Sequence, residues 1–289
     1  MNAKQKNGLP NIPLPTLGGQ QFWVDEVFYA GWRIQRHILT GHHRMLSPGN
    51  IRRAWGSLSA CKNSLELIKK EKALKNSSHH MVLLVHGMAG WSETFFFLEK
   101  HLRKNGFQAE GYNYPSLKGT LEEQATDLNA FLDTLEGFTE ITLIGHSQGG
   151  IVIRKALEKP VTWRKKIKVG GLILIGTPNQ GAAMADFSKR LKALGRVAPK
   201  VRDQLTSEYA KTLKPLKFRT GLIAGSVFGK RGINPLVPGN DDGIVGVDEV
   251  WIKGQNDRLL VTSDHFTLAN RKKSREAVVR FLNGELLKQ

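Results

Sequence analysis

Cys61 is the lone cysteine in a chain of 289 residues, so no disulfide can close within it and a reducing compartment is its natural setting. Long apolar runs are missing as well. Nothing approaches the roughly 18 apolar residues that a membrane-spanning helix requires. The opening stretch, MNAKQKNGLPNIPLPTLGGQ, has no apolar centre and does not read as a secretory signal. The expected location is therefore the cytoplasm, with peripheral contact at the inner membrane surface left open. Metal-ligand spacing is absent: His42-His43 and His79-His80 are adjacent pairs without partners, and no cofactor or metal is expected. A phosphate-loop reading of Gly176 to Gly181 fails because Ala182 and Ala183 stand where a lysine and a hydroxyl residue are required. Acidic residues are scarce, 25 against 43 Lys and Arg, which leaves a net charge of +18.

That surplus is unevenly spread. Residues 1–79 carry 12 basic and 4 acidic groups, and residues 182–232 carry 12 and 3. The intervals 80–181 (11 against 10) and 233–289 (8 against 8) are nearly neutral. Basic segments around a neutral centre steer a protein toward anionic surfaces such as acidic phospholipid headgroups; solvated helix faces are the plainer explanation. Nucleic acid is not an expected partner, because charge alone points to it and no recognition module accompanies the charge. Oligomeric state is not legible.

What the chain does contain is Ser147 in GHSQGG, directly behind the apolar run Ile141 to Ile144. A strand entering a serine flanked by small residues and then a helix holds one hydroxyl in a strained, exposed turn suited to nucleophilic attack. In a chain with 30 glycines the motif is weak by itself, so its context matters. Upstream, the apolar Met81 to Val85 leads into His86-Gly87-Met88-Ala89-Gly90, a loop whose backbone N–H groups can hold an oxyanion. Downstream, His265 is the one histidine beyond His146, and a hydrolase running serine, acid, histidine has it as the candidate base. Between them, Asn240-Asp241-Asp242-Gly243 offers a carboxylate on a turn.

Taken together, VHGMAG at 85–90, GHSQGG at 145–150, GTPNQGA at 176–182, DGIV at 242–245 and DHF at 264–266 resemble the α/β-hydrolase superfamily. Within it they are similar to the bacterial triacylglycerol lipases and their relatives that deacylate lipid anchors. The likeness spans residues 80 to about 285. It implies Ser147 as nucleophile, Asp242 as acid, His265 as base, and the N–H groups of Met88 and Gln148 as the oxyanion hole. Asp242 is preferred to Asp241 because Gly243-Ile244-Val245 follows it. Two departures stand out: Asn179 occupies a place where histidine is common, and the export signal of the secreted lipases is missing.

The implied fold is α/β, a mostly parallel sheet with helices on both faces. Strands are predicted at 81–85, 108–114, 140–146, 169–175, 218–224 and 258–263. The predicted helices run 92–104, 120–135 from the capping box Thr120-Leu121-Glu122-Glu123, 148–158 and 266–282. Two domains are expected, a basic extension over 1–79 and the hydrolase domain over 80–289. In the extension, Trp23, Val27, Ala30, Ile34 and Ile38 form an apolar stripe that predicts a helix, and a second helix is expected near 57–72. The interval from about 182 to 215 carries two helical stripes, Met184-Phe187-Leu191-Leu194 and Val201-Leu205-Tyr209-Leu213, which read as a helical cap over the site. Trp91, Phe95, Phe96 and Phe97 are candidates for an acyl pocket or for core packing. The expected activity is hydrolysis of a carboxylic ester, with a lipid acyl ester as the substrate class, through an acyl-enzyme. A transacylase using the same intermediate and a non-catalytic hydrolase-fold protein bound to anionic membranes are the alternatives.

Overall fold

The computed structural model describes residues 13–190, 199–229 and 232–288. Where the stripe from Trp23 to Ile38 predicts a helix, the chain instead folds into strands. The segments β1 (Leu14–Pro15), β2 (Trp23–Tyr29), β3 (Trp32–His37), β4 (His43–Ser47) and β5 (Ile51–Gly56) form an antiparallel sheet in the order β1-β5-β4-β3-β2. Ala30 and Gly31 both have positive φ, 47° and 81°, so they form the tight two-residue turn that matches strand twist. Val27 pairs with Ile34 across that hairpin. The helical N-terminal extension is thereby corrected to a sheet backed by one helix. That helix, α1 (Leu58–Glu71), is capped by Ser57 and lies where the second helix is predicted. Cys61 and Leu65 on α1 pack on Ile34, Met45 and Ala54 of the sheet.

The second sheet is parallel throughout. Its strands are β6 (His80–Val85), β7 (Gln108–Tyr112), β8 (Glu140–His146), β9 (Lys168–Ile175), β10 (Thr220–Ser226) and β11 (Arg258–Thr262), in the order β11-β10-β9-β8-β6-β7. The helices interleaved with it or following it are α2 (Phe96–Lys104), α3 (Leu121–Asp133), α4 (Gln148–Glu158), α5 (Ala183–Arg190), α6 (Pro199–Asp203), α7 (Ser207–Ala210), α8 (Val247–Val250) and α9 (Lys272–Leu282). Alternation along β6 shows how the layers are specified: Met81, Leu83 and Val85 enter the core beneath α3 and α4, while Val82 and Leu84 enter the core beneath α2 and α9. A sheet covered on both faces needs such continuous apolar strands. Each large aliphatic side chain buried this way contributes about 1.5–3 kcal/mol.

Of the first cap stripe, Leu191 and Leu194 lie outside the described residues. The second stripe is fastened to the body. Val201, Leu205, Tyr209 and Leu213 join the core around α3 and α4, Tyr209 donates its hydroxyl to Glu122, and Gln204 accepts from the N–H of Leu121. Among the described residues no helix is long and apolar enough to cross a membrane.

Candidate active site

Ser147 leaves the end of β8 with φ 54° and ψ −127°, a region that costs a non-glycine residue about 1–3 kcal/mol. Two contacts hold it there. Its N–H donates to the carbonyl of Ile175 at 2.9 Å, and its carbonyl accepts from the N–H of Gly150 at 3.1 Å. The flanking glycines answer to space. A Cβ on Gly149 would stand 2.1 Å from the Val85 carbonyl oxygen, and one on Gly145 would stand 2.4 Å from the Cα of Gly150. No other residue lets helix α4 start this close to β6 and β8.

Asp242 and His265 arrive from the loops after β10 and β11. The Nε2 of His265 lies 2.9 Å from Ser147 Oγ, and its Nδ1 lies 2.7 Å from Asp242 Oδ2. The other carboxylate oxygen of Asp242 accepts from the N–H groups of Ile244 (3.1 Å) and Val245 (2.8 Å), while the backbone N–H of His265 donates to the Asp242 carbonyl at 2.9 Å. These bonds fix the carboxylate and the imidazole relative to each other before any substrate arrives. Both side chains are buried. Asp241 has a separate task, accepting from the N–H groups of Ile233, Asn234 and Gly243 to shape the turn. Asp264 accepts from the N–H groups of Phe266 and Thr267 and so caps the segment behind His265.

Two further imidazoles flank this row. His146 Nε2 lies 2.9 Å from the His265 carbonyl oxygen, and the His146 ring sits 4.8 Å from that of His265. His86 stacks on Tyr114 at 4.3 Å. Burial, reinforced by the neighbouring histidines, pushes His146 down to about 3, and burial pushes His86 down to about 4. Both are neutral at ordinary pH, so neither adds positive charge beside His265.

Met88 lies on the loop after β6, and Gln148 follows Ser147 as the first residue of α4, where backbone N–H groups have no intrahelical partner. A Cβ on Gly87, the residue before Met88, would lie 2.8 Å from the Cβ of Ser147, so the loop and the serine are in contact. Of the aromatic candidates, Phe95 is buried in the core, whereas Trp91, Phe96 and Phe97 are exposed. Phe266, next to His265, is exposed as well. Asn179 is buried: its Oδ1 accepts from Arg154 Nη1 at 3.0 Å and its Nδ2 donates to the Val250 carbonyl at 2.8 Å. The departure from histidine thus creates a joint between α4 and α8.

Sequence reasoning missed Gln21. Its Nε2 donates to the Gly90 carbonyl at 2.7 Å and to Ser116 Oγ at 3.1 Å, and its Oε1 accepts from the N–H of Leu117 at 2.9 Å. One side chain of the N-terminal extension therefore clamps the Gly87–Gly90 loop to the loop before α3. Asn113 adds a second tie, its Nδ2 donating to the carbonyls of Gln20 (3.0 Å) and Trp23 (2.7 Å). No local signal marks these residues; both partners of each bond are remote in the chain.

With the geometry in view, comparison with known proteins places the molecule. A family model described as a domain of unknown function, DUF7379, matches residues 54–214. The chain belongs to this family. The matched stretch contains Ser147 and the loop after β6 but ends before Asp242 and His265. Among solved structures, lipase B of Aspergillus fumigatus superposes with a TM-score of 0.52 at 15% identity, over 72% of this chain and 53% of that one. This chain thus spans about half of that lipase, and what the two share is the α/β-hydrolase fold. A gene product of Listeria innocua gives 0.49 at 18% identity over 71% of this chain and 94% of that one. A metagenomic carboxyl esterase gives 0.48 at 14% identity, over 66% and 65%.

Proposed function

We propose that this DUF7379 protein is a serine esterase that hydrolyses carboxylic esters through an acyl-enzyme. The carrying observation is the unbroken row Ser147 Oγ, His265 Nε2, His265 Nδ1, Asp242 Oδ2, with links of 2.9 and 2.7 Å. Ser147 Oγ attacks the ester carbonyl while His265 takes its proton, and Asp242 holds the Nδ1–H tautomer and steadies the imidazolium. The N–H groups of Met88 and Gln148 meet the oxyanion, and such a donor is worth about 10²- to 10³-fold in rate. His265 returns the proton to the leaving alcohol. Water, deprotonated by the same imidazole, then releases the acid. The exposed Met88, Trp91, Phe96, Phe97 and Phe266 support an acyl chain as the recognised part of the substrate, and a lipid ester as its class.

A fluorophosphonate probe is expected to label the wild-type chain at Ser147 and to leave Ser147→Ala unlabelled; labelling that survives the substitution rejects the nucleophile. A p-nitrophenyl ester series of increasing acyl length, run with and without anionic vesicles, tests the substrate class. Preference for the shortest esters with indifference to vesicles would replace the lipid reading by a small-ester carboxylesterase.

A further inference from the structure

The near-neutral total of residues 80–181 conceals a local concentration. Residues 159–168 contain five cations (Lys159, Arg164, Lys165, Lys166 and Lys168) and no acid; residues 211–219 contain four (Lys211, Lys214, Lys217 and Arg219) and no acid. The first segment ends in β9 and the second runs into β10, and these strands are adjacent and parallel. Both segments therefore lie at the amino edge of the sheet. Ser147, Asp242 and His265 stand at the carboxyl edge, at the other end of α4, whose eleven residues span roughly 16 Å.

Between the two segments is a cleft of about 530 Å³ walled by Arg154, Lys159, Arg164, Lys214 and Lys217, with Leu216 and Phe218 as an apolar side. Its single carboxylate, Glu158, is engaged by Lys155 at 2.7 Å and by the N–H of Lys214 at 3.1 Å. Arg154 forms the back wall. It is 6% exposed and spends its Nη atoms on Asn179 and the Lys214 carbonyl, while its Nε has no acceptor among the described residues. Lys159, Arg164, Lys214 and Lys217 have no ion-pair partner among the described residues. The Arg164 guanidinium lies 5.2 Å over the Phe218 ring, which orients it as a planar fork suited to a phosphate group.

We propose that this cleft binds a phosphate-bearing anion of more than one negative charge, at a site separate from the ester chemistry. The apolar side formed by Leu216 and Phe218 suits a ligand whose phosphate is attached to an organic part. A membrane docked on this edge would face away from the carboxyl edge, so a soluble organic phosphate is the favoured source.

Calorimetric titration of the full chain with inorganic pyrophosphate tests the site. One saturable binding event is expected, weakened roughly tenfold or more by Arg164→Glu and by Lys217→Glu and retained in Lys62→Glu on α1. Both cleft substitutions fall on exposed side chains, and circular dichroism of each variant checks that it folds. Sedimentation with phosphatidylcholine vesicles, with and without phosphatidic acid, separates the sources. Pyrophosphate binding without vesicle binding assigns a soluble phosphate, and vesicle binding lost in the same two variants assigns a lipid headgroup. Absence of saturable pyrophosphate binding, or equal binding by wild type and both folded variants, overturns the site.

Discussion

The two edges of the parallel sheet differ in chemistry. At the carboxyl edge, three imidazoles, two of them held neutral by burial, gather around one strained serine, and the exposed Phe266 ring packs edge-on against His265. At the amino edge, nine cations converge from two short segments that carry no acid. A parallel sheet aligns all strand ends in one sense, so loops at one rim can be shaped for chemistry while the other rim is left free to carry charge. Helix α4 touches both, with Ser147 at its start and Arg154 in its second half.

The contrast breaks most sharply at the row of Ser147, His265 and Asp242. Asp242→Asn is expected to lower kcat by about 10⁴-fold, because the amide favours the wrong histidine tautomer; a loss below tenfold in ester turnover would remove Asp242 from the reaction. Next comes the clamp on the loop after β6. If the proposed oxyanion donors are right, Gln21→Ala leaves both in place but loosens the loop that carries Met88, so kcat is expected to fall roughly ten- to hundredfold, less than the loss of a whole donor, with KM little changed. An effect on KM alone would make Gln21 a substrate contact.

Acid sharpens the comparison through stability. The unfolded chain takes up protons on His86 and His146 below about pH 6.5, whereas the folded chain resists until about 4 and about 3. Folding stability therefore falls as pH drops from 6.5 toward 4, by about 2 kcal/mol per histidine at pH 5. Glu99, pushed up to about 7 by burial, acts in the opposite direction and disfavours the fold as pH rises from 4.5 through 7. Denaturant titrations at pH 7 and pH 5 on His86→Gln, compared with wild type, are expected to show a shallower acid loss in the variant. Salt separates the two edges: screening at high ionic strength should weaken pyrophosphate binding at the amino edge steeply, and the smallest effect expected is on labelling of Ser147 by a neutral fluorophosphonate, less than about twofold.

Much of the parallel-sheet half is written locally. Strand β8 and helix α4 fall where Ile141 to Ile144 and the following glycines put them, and Thr120 with Glu123 forms the expected capping box at α3. The extension misleads for a definite reason. A spacing of four satisfies both the helical period of 3.6 and the strand period of 2. Val27 and Ile34, seven apart, share a face only because the hairpin folds back at Ala30-Gly31. Alanine is an unusual residue for a turn with φ above zero, so the turn left no strong mark.

The amino-acid order by itself determined the alternation of strands and helices, the serine elbow, and the succession of serine, carboxylate and histidine, because apolar periodicity and glycine spacing act over a few residues. Only the tertiary structure decided that Gln21 reaches Gly90, that Asn179 receives Arg154, and that two cationic segments close on one cleft. Those pairings join residues that are distant in the chain and were selected by strand order and layer packing, neither of which leaves a local trace.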